Sequence, residues 1–152
     1  MNTPDPMNPL LRHASLPPYA DLRPEHVQPA MTEFLGAARA ALENTLSDEV
    51  PAEFEAMSAA LEVPIERLQR AWGMVRTLNN VANTPDLRAA YNQSLGPMTE
   101  FYTQLGADER LFAKYKAVAS GGEALTPARQ RVLTNALRDF VLSGAELQGA
   151  AR

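Results

Sequence analysis

Cysteine is absent from this 152-residue chain, histidine occurs twice and tryptophan once. Without a thiol there is no disulfide, no Cys-ligated zinc, no iron–sulfur cluster and no cysteine nucleophile. No apolar run approaches the ~18 residues of a membrane span. The opening Met1-Asn2-Thr3-Pro4-Asp5-Pro6 lacks the basic and apolar regions of a signal peptide, so a cytoplasmic protein is expected. A basic excess is lacking too: 14 Lys+Arg against 18 Asp+Glu give a net charge of −4. That is the opposite of a nucleic-acid footprint, so neither nucleic acid nor membrane is an expected partner. Strand-favouring residues are scarce, with 8 Val and 1 Ile against 25 Ala and 19 Leu. Alanine and leucine are strong helix formers, which points to an all-α protein.

Twelve prolines stand against that reading, but seven lie at or before Pro29. Residues 1–23 are expected to form an extended arm held on the domain by Leu10, Leu11, Leu16 and Tyr19. Each proline drives its predecessor toward extended backbone. Pro24-Glu25-His26-Val27 reads as one helical turn, followed by a restart at Pro29 and a helix to Leu46. Met31, Leu35, Ala38, Leu42 and Leu46 give that helix one apolar face. A loop at Ser47–Pro51 precedes a short helix over Ala52–Leu61, with Phe54, Met57 and Leu61 inward. Pro64 marks a boundary before a helix to Ala82 carrying Ile65, Leu68, Trp72 and Val75. The alternative is one long helix kinked at Pro64. Thr84-Pro85 pairs a hydroxyl cap with a first-turn proline. Leu87, Tyr91, Leu95, Met98, Tyr102 and Leu105 then run through Gly96-Pro97 to Gly106. Asp108 caps a helix bearing Leu111, Phe112, Tyr115 and Val118, which ends at Gly121-Gly122. Thr126-Pro127 opens the last helix, with Leu133, Leu137, Phe140 and Val141 inward and Gly144 as terminator. The sum is an antiparallel bundle of five to six helices, residues 24–147, behind the arm and ahead of an unpacked tail at 148–152.

Chemistry-bearing patterns are few. A zinc site needs three protein ligands, and His13 and His26 match no helical ligand spacing. Glu25-His26 is a dipeptide echo of H-E-x-x-H, and His26 reads as a surface or capping imidazole. No G-x-S-x-G or P-loop occurs, and Gly121-Gly122-Glu123 reads as a linker. Asn92-Gln93-Ser94 falls mid-helix and is no glycosylation signal here. Glu53 and Glu55 point to different faces. Glu62 and Glu66 are expected to serve a helix start, with Glu66 and Arg70 at i,i+4 spacing. Trp72, Tyr91, Phe101, Tyr102, Phe112, Tyr115 and Phe140 read as core, and Lys114 with Lys116 is too little for a nucleic-acid surface. No catalytic, cofactor-binding or metal-ligating residue is assigned to any position.

An ordered set of segments carries a resemblance. They are Asn8-Pro9-Leu10-Leu11, Leu16-Pro17-Pro18-Tyr19, Leu22-Arg23-Pro24-Glu25-His26-Val27 and Pro29-Ala30. Further along stand Leu78-Asn79-Asn80-Val81, Asp86-Leu87-Arg88-Ala89-Ala90-Tyr91, Asn135-Ala136-Leu137-Arg138-Asp139-Phe140 and Leu142-Ser143-Gly144. Over residues 8–147 this resembles the N-terminal region of the thimet-oligopeptidase family of zinc metallopeptidases, in its bacterial oligopeptidase A branch. The dipeptidyl carboxypeptidase branch is a close relative. Pro64 departs from the family, where this region is usually continuous helix.

The resemblance implies a parent metalloendopeptidase that hydrolyses short peptides inside a channel between two largely helical halves. Its zinc, held by H-E-x-x-H and a third carboxylate, would lie in a catalytic domain beyond this chain. The 152 residues alone are then expected to be truncated before that domain, to hold no cofactor and to be inactive. Their expected partners are the catalytic domain and, through the parent, short peptides. Self-association through an uncovered apolar patch is a further expectation. The alternative function is a free-standing helical protein-interaction module without peptidase activity.

Overall fold

The side chains of Thr84, Asp108 and Thr126 cap the helices that follow them, as the sequence predicts. The computed structural model describes residues 8–12 and 16–145. His13 and the tail at 148–152 lie outside the described residues. Among these the fold is all-α, with five α-helices and no strand. They are α1 (Pro24–Leu46), α2 (Phe54–Val81), α3 (Pro85–Gly106), α4 (Glu109–Ser120) and α5 (Pro127–Leu142), preceded by 3-10 turns at Pro9–Leu11 and Tyr19–Asp21. No helix among the described residues is long and apolar enough to cross a membrane.

Three helices run through prolines, and here two expectations are corrected. Pro24 and Pro29 belong to one helix, and in place of separate helices over Ala52–Leu61 and Pro64–Ala82 the alternative of one long helix through Pro64 holds, as α2. α3 passes through Pro97 as the spacing predicts. A helical proline leaves the carbonyl four residues earlier without its usual donor. Those carbonyls belong to Glu25, Ala60 and Gln93, which are exposed, half-buried and exposed, so water can serve them. On α2, Met57, Leu61, Leu68, Ala71 and Val75 are buried at helical spacing on both sides of Pro64. Burying each of the larger side chains contributes ~1.5–3 kcal/mol. Together they outweigh the ~3 kcal/mol of an interior proline. Glu62 and Glu66 therefore sit inside α2, not at a helix start.

The chain divides into two compact units. The first comprises the described residues of Met1–Ala40 together with Val63–Thr99. Its core holds Leu10, Leu22, Val27, Met31, Phe34 and Leu35 from the arm and α1. Leu68, Met74 and Val75 of α2 and Leu87 and Met98 of α3 complete it. Trp72 and Tyr91 stack with ring centroids 4.8 Å apart and planes 9° from parallel.

The second unit comprises Ala41–Glu62 and the described residues of Glu100–Arg152. α4 and α5 pack against one another, and Phe140 meets Phe112 and Tyr115 at centroid distances of 5.5 and 5.7 Å. Lys114 Nζ donates to the carbonyls of Thr45 (2.6 Å) and Ser47 (2.9 Å), closing the C-terminus of α1. Glu123 accepts the Phe54 amide at 3.0 Å, satisfying one free N–H at the start of α2. Asp108 accepts the amides of Arg110 and Leu111, and Thr126 that of Arg129. Gly144, at φ +88, ends α5. Its amide reaches Val141 and that of Ala145 reaches Phe140, the paired bonds of a Schellman motif.

Four apolar assignments are corrected by position. Leu16 is 78% exposed and Tyr19 39%, so neither anchors the arm. Leu95 and Val141, read as inward, are 40% and 45% exposed. They stand at the edge of their helices' apolar stripes, where spacing alone does not separate core from rim.

Candidate functional site

Both clefts of interest lie in the first unit and share one wall, the arm. Asn8 fixes that wall. It is buried; its side-chain oxygen accepts the Leu10 amide at 3.0 Å, and its Nδ2 donates to the His26 carbonyl at 2.9 Å. Asn8 thus caps the Pro9–Leu11 turn and ties it to the first turn of α1. Leu10 is driven inward, to 2% exposure. His26 serves as a cap in its turn, its Nδ1 accepting the Arg23 amide at 3.1 Å. The Arg23 guanidinium is held to the carbonyls of Ala20 and Leu22 at 3.0 and 3.1 Å.

The first cleft encloses about 280 Å³. Its walls are chiefly apolar: Leu10 and Leu22 of the arm, Val27 of α1, Val75 and Leu78 of α2 and Leu87 of α3. It can hold an apolar group, with Tyr19, Arg23 and Thr84 as its polar lining.

The second cleft, about 260 Å³, is of different character. Val63, Glu66, Arg67, Arg70, Ala71 and Met74 line it from α2. Their spacing of three, one, three, one and three residues keeps all six on one helix face. Leu10 and Arg12 enter from the arm and Phe34 from α1. Leu10, Phe34, Ala71 and Met74 are buried and make an apolar floor, while the charged residues are exposed and form the rim. Glu66 and Arg70 pair at 4.0 Å, an exposed contact worth well under ~1 kcal/mol. Among the described residues of the lining, Arg12, Arg67, Arg70 and Glu66 carry charge.

The remaining sequence candidates do not converge. Glu55 pairs with Arg129, whose guanidinium also stands 5.8 Å from the Phe54 ring centroid. Glu62 faces Tyr115, where burial first and the Glu62 charge second push the phenol pKa up. Lys116 lies 4.2 Å from the Phe112 ring centroid while Lys114 is turned to α1, so the two lysines form no joint basic surface. Arg110 bridges Glu43 and Asp108 at 2.9 and 2.7 Å, which holds its own pKa up. Among the described residues no three His, Asp or Glu side chains gather to hold a metal ion.

Among the described residues the architecture is that of an all-helical domain with capped helix starts. The match to a family model is direct. Residues 26–152 match the N-terminal domain of neurolysin/thimet oligopeptidase, and the chain belongs to that family. Its relatives include the oligopeptidase A of Salmonella typhimurium, 39% identical over 142 residues, and that of Escherichia coli, 37% identical over the same length. The oligopeptidase A of Haemophilus influenzae is 34% identical. Each alignment covers 92% of this chain and 21% of the relative, so the chain spans about a fifth of their length.

Proposed function

We propose that this chain is the non-catalytic N-terminal domain of a zinc-dependent oligopeptidase and forms part of the wall or lid of its substrate channel. The observation that carries this reading is the family match over residues 26–152, together with alignment to a fifth of each relative's length. Its domain runs over residues 24–147. The zinc and the residues that hold it would belong to a separate catalytic domain, where the metal would supply an activated water. That domain is the proposed partner, short peptides are the proposed substrates of the whole, and the cytoplasm is the proposed location. The domain's contribution is geometric: a rigid helical surface admits short extended peptides and excludes folded proteins.

Two measurements test this. The reading frame beyond codon 152 is expected to contain H-E-x-x-H, and the purified 152-residue chain is expected to leave a quenched peptide uncut. Zinc-dependent cleavage by the chain alone would overturn the reading. The isolated chain is also expected to self-associate through the face it would turn to the catalytic domain. Light scattering that shows a strict monomer at high concentration argues against that face.

A further inference from the structure

His26 joins the two described segments of the arm to α1, and it does so through two different atoms. Its carbonyl accepts Asn8 Nδ2 at 2.9 Å, and its ring Nδ1 accepts the Arg23 amide at 3.1 Å. Arg23 in turn offers its carbonyl to the His26 amide at 3.1 Å. The return bond from the ring is that of a capping box, in which the side chain at the third helical position reaches back to the amide ahead of the helix. Glutamate or glutamine is the usual residue there, and each keeps an acceptor oxygen. Histidine does not. A backbone N–H only donates, so Nδ1 accepts it only while that nitrogen carries no proton. The neutral ring then holds its proton on Nε2, and the imidazolium has no acceptor left.

The surrounding charges are exposed and of both signs. Asp21, Arg23 and Glu25 stand beside the ring along the chain, and Arg12 ends the other arm segment. Across the first cleft, Arg76 of α2 and Asp86 and Arg88 of α3 flank its lining residues. Among the described residues none of them pairs with the imidazole, whose one bond is to the Arg23 amide. The cap and the helix terminus therefore decide the effect of a proton. It removes the acceptor, and it sets positive charge at the positive end of α1.

We infer that His26 is a pH-sensitive latch for the arm: neutral, it holds both arm segments on the first turn of α1; protonated, it loosens them together and with them the wall of the first cleft. Histidine is the side chain whose charge changes between about pH 5 and 8. Leu10 and Leu22 of that wall remain favourable to bury, so protonation raises the open fraction and does not strip the arm away. The latch is built from the arm and α1 alone, so it stands independently of the reading of this domain as channel wall.

The test is a nuclear magnetic resonance titration of the whole chain from about pH 8 to about pH 5. The Arg23 amide and the Asn8 side-chain amide are expected to move together with the His26 ring. Protection of the Leu10 amide, corrected for intrinsic exchange, is expected to fall about fivefold, the size of a lost helix cap. His26→Gln keeps an acceptor that does not titrate and is expected to flatten all three curves. It retains His13, the other histidine of the chain, so movement that survives in it is not the latch. His26→Ala is expected to show the acid-end values throughout. Amides that stay still while the ring titrates overturn the inference, as does the same movement in His26→Gln. Movement of Arg23 with Asn8 unmoved also overturns it, since that is a cap without a latch. The ring nitrogens of the unmodified chain give a second measurement: at about pH 8 the proton is expected on Nε2, and a proton on Nδ1 overturns the inference without any variant.

Discussion

Replacing Pro64 by alanine tests how α2 is held together. The proline lies inside a helix that continues from Phe54 to Val81, with buried side chains at helical spacing on both sides. An interior proline costs ~3 kcal/mol relative to alanine, from a missing N–H and a clash with the carbonyl four residues earlier. Alanine restores the donor to the Ala60 carbonyl. Against this, alanine loosens the unfolded chain, which costs about 0.4–1 kcal/mol. Pro64→Ala is therefore expected to stabilise the protein by about 2 kcal/mol. For a chain of this size each kcal/mol moves Tm by ~2–4 °C, so the expected rise is about 4–8 °C. Far-UV circular dichroism during heating reads the shift, and urea unfolding checks its free energy. If α2 were instead two helices meeting at a turn, the proline would favour that turn. The substitution would then leave Tm unchanged or lower it, and that result refutes the reasoning.

Three further predictions follow from named contacts. Lys114→Met removes two charge-assisted bonds from the end of α1 and is expected to cost about 2 kcal/mol, read by urea unfolding; an unchanged midpoint would show that water replaces the ammonium. At Asp108 burial pushes the carboxyl pKa up, but bonds from the Arg110 side chain and the Leu111 amide outweigh it and hold the carboxyl below its ordinary 3.8. The stability it contributes is thus present above 3.8 and lost as pH falls through the lower folded value. Asp108→Asn is expected to flatten that acid limb in a pH series of melts, and an unaltered limb counts against the assignment. Tyr115 has a phenol pKa raised by burial and then by Glu62, so its contribution is complete below 10 and lost as pH rises through the folded value. Glu62→Gln is expected to shift its ultraviolet titration toward lower pH, and an identical curve would remove Glu62 as a cause.

What was legible in the sequence acts within a few residues. Thr84, Asp108 and Thr126 cap the helices they precede, because a short polar side chain reaches only the amides two or three positions on. Gly144 ends α5 because the left-handed φ there suits glycine. Pro29 and Pro64 were misleading for the complementary reason: the local rule is sound, and burial of a continuous apolar face overrides it. Lys114 meets Thr45 from 69 residues away, and Glu123 meets Phe54 across the same separation. No periodicity announces such pairs. The arginine cleft was hidden similarly. Leu10 and Arg12 are brought beside Arg67 and Arg70 by Asn8, which appears in the sequence only as part of the Asn8-Pro9-Leu10-Leu11 segment. The family itself was readable because many short segments recur in order, although none is specific alone.

The most direct measurement of the central claim is peptide hydrolysis by a chimera. This chain replaces the corresponding region of the Salmonella typhimurium oligopeptidase A, to which it is 39% identical. A domain that supplies channel wall is expected to give a soluble enzyme that cleaves a quenched short peptide and loses activity on chelation. A chimera that folds, as judged by helicity and cooperative melting, yet cleaves no peptide with zinc supplied would contradict the account.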